Sequence, residues 1–310
     1  MPKNTGGIAD NLLGGLYCYL RRFLFGILSV GPVPSHISFI MDGNRRFQKK
    51  RNLEEGDGHK AGFSALLSIL RFCYELGVKY VSVYAFSIDN FRRKPKDVEY
   101  LMELMREKIE ELLQQDSIIN EYGVRLLFIG KLQLLSEPAR VAVEKAMRVT
   151  AHNSQRVLII CIAYTSSNEI VHAVQNSCTD KWNQFEASKV PNGSTTRPDL
   201  VLNNFKDSCK DQLLATKLSE EIKYKEDELL SVKLVDIEKH IYMAVAPDPD
   251  ILIRTSGEAR LSNFLLWQTS ACPLYSPTAL WPEIGLRHLV WAVLNFQRHH
   301  SYLEKKKKQC

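Results

Sequence analysis

Several common signatures of metal, nucleotide and disulfide chemistry are missing from this sequence of 310 residues. Its seven cysteines are odd in number and widely separated, and they include no C-x-x-C pair. This pattern argues against a disulfide framework or a zinc site and is typical of a reducing compartment. Neither the G-x-x-x-x-G-K-[ST] loop nor the G-x-G-x-x-G turn occurs, so P-loop and dinucleotide-binding folds lack their main support.

Nucleic-acid binding also lacks support. No zinc-finger, RRM or basic-zipper signature is present, and the formal net charge of +6 is modest. The positive charge is local, because basic residues crowd two short segments beside carboxylates that would repel a nucleic-acid backbone. These basic residues are Arg45, Arg46, Lys49, Lys50, Arg51, Arg92, Arg93, Lys94 and Lys96. Such local charge suits a small polyanionic substrate, and we expect no nucleic-acid partner.

The first 34 residues form a segment of their own. Apolar residues recur at helical spacing from Leu12 to Leu28, but Arg21 and Arg22 interrupt them. The segment is therefore predicted to be an amphipathic helix that does not cross a bilayer. Two roles are open to it: it lies on a membrane surface, or it packs on a partner or on the core. A Pro/Gly linker at residues 31–34 then ends the helix.

From about residue 35 the pattern alternates between strands and helices. Apolar runs at 36–41, 78–86, 124–129, 156–164 and 250–253 predict strands, and helical stripes fall between and after them. This alternation indicates an α/β fold, with a largely parallel central sheet flanked by helices in a single catalytic domain over residues 35–303. Within it, residues 179–232 lose periodicity and are predicted to be a flexible insertion. Residues 304–310 are predicted to be a basic tail.

Three of the predicted strands end in polar segments of similar chemistry, which contain Asp42, Asn90 and Arg254. Because ligands of open α/β sheets bind beyond the carboxyl ends of the strands, we expect these residues to face one cleft. A carboxylate can hold a hard divalent cation, and arginines can hold the phosphates that the cation bridges. The set indicates a substrate that is a diphosphate ester with an apolar tail, with Mg²⁺ and arginines stabilising the departing charge.

Each polar segment also has a plainer interpretation. Asp42 is placed where a residue could cap the next helix, although a cap does not require the adjacent cations Arg45 and Arg46. Asn90 and Arg93 are also compatible with a solvated turn. We assign Trp267, which follows the third segment, to the core.

The segments resemble the motifs of the cis-prenyltransferases, the family of undecaprenyl and dehydrodolichyl diphosphate synthases. The resemblance covers about residues 35–300 and is carried, in the family's order, by residues 41–46, 84–91 and 254–268. The chain is most similar to the eukaryotic branch, and within it to plant enzymes that make dolichol-type or rubber-type polyprenols. The resemblance implies repeated addition of isopentenyl diphosphate to an allylic diphosphate such as farnesyl diphosphate, with Mg²⁺ as cofactor and Z double bonds in the product.

The resemblance also implies roles for particular residues. Asp42 matches the aspartate that binds Mg²⁺ and assists departure of the diphosphate, and Asn90 matches the residue that helps to remove the proton after condensation. The matched substrate-binding positions are Gly43, Asn44, Arg45, Arg46, Phe47, His59, Ser87, Phe91, Arg93, Arg254, Arg260 and Ser262. Residues 43–46 match the allylic diphosphate site, whereas Arg254, Arg260 and Ser262 match the isopentenyl diphosphate pocket.

Four positions depart from the bacterial pattern. Phe47 and Phe91 replace tryptophans, a change that keeps an apolar wall. Glu55 stands where bacterial members have an arginine, so Arg51 or a partner is expected to supply the missing cation. Pro273 stands where they have a second metal-binding glutamate. The resemblance therefore leaves Asp42 as the one expected protein carboxylate on Mg²⁺.

The Arg-x-Gly motif by which homodimeric members reach a neighbouring active site does not occur between Ser301 and Cys310. We expect a heteromer in which a Nogo-B-receptor-like accessory subunit supplies this motif. We expect the chain to be peripheral to the endoplasmic reticulum membrane, on its cytosolic face. One rival hypothesis is a non-catalytic regulatory homologue that anchors the synthase, and another is a phosphatase that acts on prenyl diphosphates.

Overall fold

The computed structural model describes residues 6–189 and 231–307. These residues fall into two compact units. The first unit comprises the described residues up to Ser166 and from Val245 onward, and it contains the whole sheet. The second comprises the described residues from Ser167 to Ala244.

A six-stranded sheet organises the first unit, and every pair of neighbouring strands is parallel. The strands are β1 (His36–Ile40), β2 (Tyr80–Ser87), β3 (Val124–Ile129), β4 (Arg156–Tyr164), β5 (Ile251–Arg254) and β6 (Leu274–Tyr275). Their order across the sheet is β3-β4-β2-β1-β5-β6. The predicted α/β class with a parallel central sheet is confirmed.

Helices connect and flank these strands. They are α1 (Gly6–Leu28), α2 (Asn44–Lys50), α3 (Asp57–Leu76), α4 (Pro95–Leu112), α5 (Ile118–Glu121), α6 (Glu137–Val149), α7 (Ser166–Lys189), α8 (Leu234–His240) and α9 (Leu286–Lys307). Helix α4 packs on α6, and α3 packs on α9. Strand β4 is buried along almost its whole length, as its continuous apolar run predicts for a strand covered on both faces.

Helix α1 confirms the predicted N-terminal helix. It contacts α3 and α9, and Phe25 and Leu28 are buried in the core. On another side its apolar residues are exposed; these are Leu16, Tyr19, Leu20, Phe23 and Ile27. None of the described helices is long and apolar enough to span a bilayer.

The predicted insertion at residues 179–232 begins within helix α7. Helix α7 continues to Lys189, because Phe185 is buried and packs near Trp182 with 6.0 Å between the ring centroids. Lys181 of this helix also forms an ion pair of 3.1 Å with Asp236. The central part of the predicted insertion lies outside the described residues. The predicted basic tail is helical to Lys307, and its last three residues also lie outside them.

Candidate active site

The turn after β1 places Asp42 at the carboxyl edge of the sheet. The last pairing of β1 with β5 joins Ile40 to Arg254, so Asp42 lies two residues beyond it. Gly43 follows with φ of +115°, and a Cβ at this position would lie 3.0 Å from Leu280. Only glycine adopts this left-handed conformation without a steric cost. The glycine therefore allows the chain to turn sharply from β1 into α2.

The carboxylate of Asp42 is held by two arginines. Its Oδ1 accepts a hydrogen bond of 3.0 Å from Arg46 Nη2, and its Oδ2 accepts one of 2.9 Å from Arg254 Nη2. Helix α2 has Gly43 as its N-cap and no side-chain capping bond, so the interpretation of Asp42 as a helix cap is wrong. Burial raises the pKa of Asp42, but the hydrogen bonds from Arg254 and Arg46 outweigh it and hold this pKa below its ordinary value.

Arg254 links Asp42 to the third polar segment. The guanidinium is buried, and its Nη1 donates to Ser262 Oγ at 2.5 Å and to the carbonyl of Arg260 at 2.6 Å. Ser262, Asn263 and Leu265 all have positive φ values, between 46° and 60°. A positive φ is strained for a non-glycine residue and is kept only where the surrounding structure stabilises it. Residues with this strain cluster at ligand sites.

The second polar segment is an ordered 3₁₀ turn at residues 88–92. The backbone N–H of Ser87 donates to Asn90 Oδ1 at 3.0 Å, and the N–H of Asp89 donates to Ser87 Oγ at 3.2 Å. These reciprocal bonds form a capping box that fixes Asn90 beside the end of β2. The solvated-turn interpretation is therefore incomplete, since Ser87, Asn90 and Arg93 line a cavity.

Two adjoining cavities, of about 490 and 380 Å³, meet at this edge of the sheet. Asp42, Asn90 and Arg254 all line the larger one, which confirms the prediction of a shared cleft. Much of the rest of its wall is apolar, and this part includes Phe63, Leu66, Leu101, Met105, Phe128 and Ile160. The smaller cavity is lined by residues 41–46 together with Lys49, His59 and Arg93. The cleft thus joins a cationic mouth to an apolar interior.

Cations crowd the mouth of the cleft. Burial lowers the pKa of His59, and the charges of Arg93 and Arg45 lower it further, so His59 is neutral at neutral pH. Burial and the charge of Arg45 also lower the pKa of Arg93. Asp42 is the one carboxylate among the described residues that line the smaller cavity. This local excess of positive charge favours a multiply charged anion such as a diphosphate.

The donor set fits a magnesium ion that is shared with substrate phosphates. Among the described residues no group of three His, Cys, Asp or Glu side chains could hold a metal ion. Mg²⁺ is commonly bound by one or two carboxylates, with water and substrate phosphates completing its coordination. Asp42, partly exposed in a cationic cleft, suits that arrangement. The carboxylate would first have to exchange an arginine for the metal.

Three predicted substrate-binding residues, Phe47, Phe91 and Arg260, line neither cavity. Phe91 packs edge-on against Phe86, with 5.0 Å between ring centroids. The guanidinium of Arg260 is exposed and pairs with Glu258. Arg51, the expected replacement for the bacterial arginine, lies 5.8 Å over the ring of Phe47 and lines neither cavity either. Direct substrate contacts by these side chains stay predictions.

Sequence reasoning missed several residues that shape the cleft. Ser256 Oγ accepts a hydrogen bond of 2.6 Å from Arg46. Lys49, which the sequence placed in a basic cluster but not at the site, lines the smaller cavity. The position of Ser256 two residues after Arg254, in the third polar segment, was the sequence feature that could have identified it. Trp281 donates its backbone N–H to the Asp42 carbonyl at 3.0 Å and its indole N–H to the Gly62 carbonyl at 2.7 Å. Nothing in the local sequence around Trp281 indicates this link.

Comparison with known proteins gives a consistent result. Residues 40–303 match the family model described as "Putative undecaprenyl diphosphate synthase". The chain is 55% identical over 308 residues to dehydrodolichyl diphosphate synthase 6 of Arabidopsis thaliana, covering 99% of this chain and 97% of the relative. It is 54% identical to rubber cis-polyprenyltransferase HRT2 of Hevea brasiliensis, with 93% of each chain covered.

More distant relatives extend this similarity. The human protein named dehydrodolichyl diphosphate synthase complex subunit DHDDS is 38% identical, over 92% of this chain and 73% of its own length. Among solved structures, lavandulyl diphosphate synthase from Lavandula x intermedia, in complex with dimethylallyl diphosphate, matches with a TM-score of 0.63 and 26% identity. That match covers 86% of this chain and 95% of the lavender chain.

Proposed function

The chain belongs to the undecaprenyl diphosphate synthase family, the cis-prenyltransferases, and on this basis we propose that it is the catalytic subunit of a long-chain cis-polyprenyl diphosphate synthase. It condenses isopentenyl diphosphate repeatedly onto an allylic diphosphate such as farnesyl diphosphate. The plant relatives support a product of the dolichol or rubber type. The observation that carries the proposal is the single cleft that joins a cationic mouth to an apolar cavity of about 490 Å³.

The geometry suggests how the two substrates divide the cleft. Arg45, Arg46 and Arg93 line the smaller cavity and would hold the allylic diphosphate, whose prenyl tail would enter the apolar interior. Arg254 and Ser262, which are hydrogen-bonded to each other, would hold isopentenyl diphosphate. The two diphosphates would then lie on opposite sides of Asp42.

In each cycle the allylic C–O bond breaks and diphosphate leaves, a C–C bond forms to the isopentenyl carbon, and a proton is lost. Mg²⁺ bound at Asp42 would supply positive charge that stabilises the leaving diphosphate. The arginines supply the remaining charge in a partly desolvated cleft, where it acts strongly. Asn90, fixed by the Ser87 N–H, would assist removal of the proton.

Substitution of Asp42 by alanine tests the assignment. We expect the Asp42→Ala protein to remain folded and to lose turnover by orders of magnitude, because the carboxylate that would hold the metal is removed. Glu103→Ala is the matched control, since it removes an exposed carboxylate that pairs with an arginine on α4. Initial rates with labelled isopentenyl diphosphate measure the effect. A rate near that of the unsubstituted protein would refute the assignment.

Two rival functions make different predictions. A regulatory homologue would lack the Asp-Gly-Asn-Arg and Arg-Thr-Ser-Gly-Glu residues, and both are present at 42–45 and 254–258. A phosphatase would release phosphate from a prenyl diphosphate without isopentenyl diphosphate. Incubation of the chain with farnesyl diphosphate and Mg²⁺ alone, followed by phosphate measurement, separates that activity from condensation.

We also propose that the chain works with a Nogo-B-receptor-like accessory subunit. The name of the human relative, which calls it a complex subunit, supports this. We expect the purified chain to turn over slowly and to be activated on addition of the accessory subunit that carries an Arg-x-Gly motif. Full turnover by the chain alone, unchanged by such a subunit, would contradict the heteromer.

We further propose that the enzyme is peripheral to a membrane, at the cytosolic face of the endoplasmic reticulum, with α1 on the lipid surface. The support is the exposed apolar side of α1, where Leu16, Leu20, Phe23 and Ile27 recur at helical spacing. Surface helices of this kind bury their apolar side in the headgroup region.

A further inference from the structure

Thr255 occupies an unusual position directly after β5. It is fully buried, and its hydroxyl contacts both polar groups of the Asp42 main chain. The hydroxyl oxygen accepts the Asp42 N–H at 3.0 Å, and the hydroxyl proton is donated to the Asp42 carbonyl at 2.7 Å. The carbonyl of Ile40 is farther away, at 3.4 Å.

The hydroxyl continues the sheet where its backbone ladder stops. The pairing of β1 with β5 ends at Ile40 and Arg254, so no regular ladder bond reaches Asp42. Thr255 supplies that bond from its side chain. A threonine also fixes this hydroxyl well, because its β-branched side chain has few rotamers.

The residues on either side of Thr255 also contact the Asp42 site: one bonds the Asp42 carboxylate, and the other bonds the second arginine that holds it. Arg254 bonds the carboxylate of Asp42 at 2.9 Å, and Ser256 accepts a bond from Arg46, which binds the other carboxylate oxygen. Three consecutive residues therefore fix the backbone of Asp42, its carboxylate and the arginine beside it.

We propose that Thr255 is a positioning residue for the prenyl transfer, which fixes the Asp42 backbone so that its carboxylate lies between Arg46 and Arg254. The proposal rests on the proposed function. Asp42 has two other backbone bonds, from its N–H to the Ile40 carbonyl and from the Trp281 N–H to its own carbonyl, each of 3.0 Å. Loss of the hydroxyl therefore loosens the turn without removing every contact, and the protein is expected to fold.

Thr255→Val tests the proposal, because valine keeps the shape and removes the hydroxyl. Thr150 offers a matched control. Its hydroxyl is also buried, accepts the Leu126 N–H at 3.0 Å and donates to the Ala146 carbonyl at 2.9 Å, and it does not line the cleft. Thr150→Val therefore removes an equivalent buried hydroxyl at a position that plays no part in the proposal.

We expect Thr255→Val to lower kcat by roughly 10- to 100-fold, as misplacement of a reacting group by about 1 Å can do. Thr255→Ser should recover most of the rate, and Thr150→Val should keep kcat within about threefold while losing a similar amount of thermal stability. A second readout is Mn²⁺ affinity in the presence of inorganic diphosphate, measured by electron paramagnetic resonance. It should weaken in Thr255→Val and stay unchanged in Thr150→Val.

Three results would overturn the proposal: an unchanged kcat in Thr255→Val, an equal loss in both valine variants, or no recovery in Thr255→Ser. A Thr255→Val protein that does not fold would also overturn it, because the hydroxyl would then be needed for folding. If the unsubstituted chain incorporates no isopentenyl diphosphate even with an accessory subunit, the proposed function fails. The Mn²⁺ comparison would still decide the role of Thr255.

Discussion

At the scale of single residues, the ion pairs of Asp42 connect the two halves of the cleft. Arg254 is buried, the Asp42 side chain is 29% exposed and the Arg46 side chain is 48% exposed. An exposed pair of this kind contributes little stability and exchanges readily. A diphosphate in the smaller cavity would draw Arg46 away and leave one carboxylate oxygen for a metal. Substrate and metal would therefore bind in a coupled manner.

Arg46→Gln should separate these two effects. Removal of the cation takes away a competitor for the carboxylate, so Mn²⁺ affinity of the substrate-free protein should rise. The same change removes a charged hydrogen bond to the diphosphate, which should lower kcat/KM for the allylic primer by roughly 10- to 100-fold. Arg106→Gln, on the surface of α4, is the control. Equal losses of metal affinity and primer binding would contradict the coupling.

Much of the site could be predicted from the sequence, because polar residues that follow buried strands must emerge at the sheet edge. Asp42, Asn90 and Arg254 were found in this way. Thr255 and Trp281 could not be, since their roles depend on contacts between segments more than 200 residues apart in the chain. Thr255 lies within the third polar segment, but the sequence assigns its hydroxyl no role, and Trp281 resembles an ordinary core residue.

At the scale of secondary structure elements, the bounds of β3 and β4 agree with their apolar runs, because short buried strands have clear polar ends. Helix α7 extends into the predicted insertion as far as Lys189, and the sequence did not show this because polar residues on an exposed helix resemble those of an irregular segment. Strand β6 was missed because two residues carry no periodic signal. It is defined by its pairing with β5.

Helix α1 gives a prediction that belongs to the element. Leu20→Glu places a charge on the exposed apolar side of α1. We therefore expect the affinity for phosphatidylcholine vesicles that contain phosphatidylserine to fall by about tenfold or more. Thermal stability should hardly change, because the side chain is exposed. Val141→Glu, a similarly exposed apolar position on α6, is the control for added charge. Cosedimentation that is unaffected in Leu20→Glu would contradict a lipid-facing α1.

At the scale of the whole molecule, the parallel sheet places three distant segments at one edge and encloses an apolar cavity next to them. A volume of about 490 Å³ is that of a site for a small organic ligand. It can receive the tail of an allylic primer, but a long polyprenyl chain would outgrow it and have to extend beyond it. Product length therefore depends on what lies beyond this cavity, which the sequence motifs do not encode.

The most direct test of the central claim is to incubate the chain with labelled isopentenyl diphosphate, farnesyl diphosphate and Mg²⁺, with and without an accessory subunit. The products are then separated by length. A cis-prenyltransferase catalytic subunit must incorporate the label into polyprenyl diphosphates that grow in five-carbon steps beyond the primer. Absence of incorporation under both conditions, or release of phosphate from the primer without elongation, would contradict the proposed function.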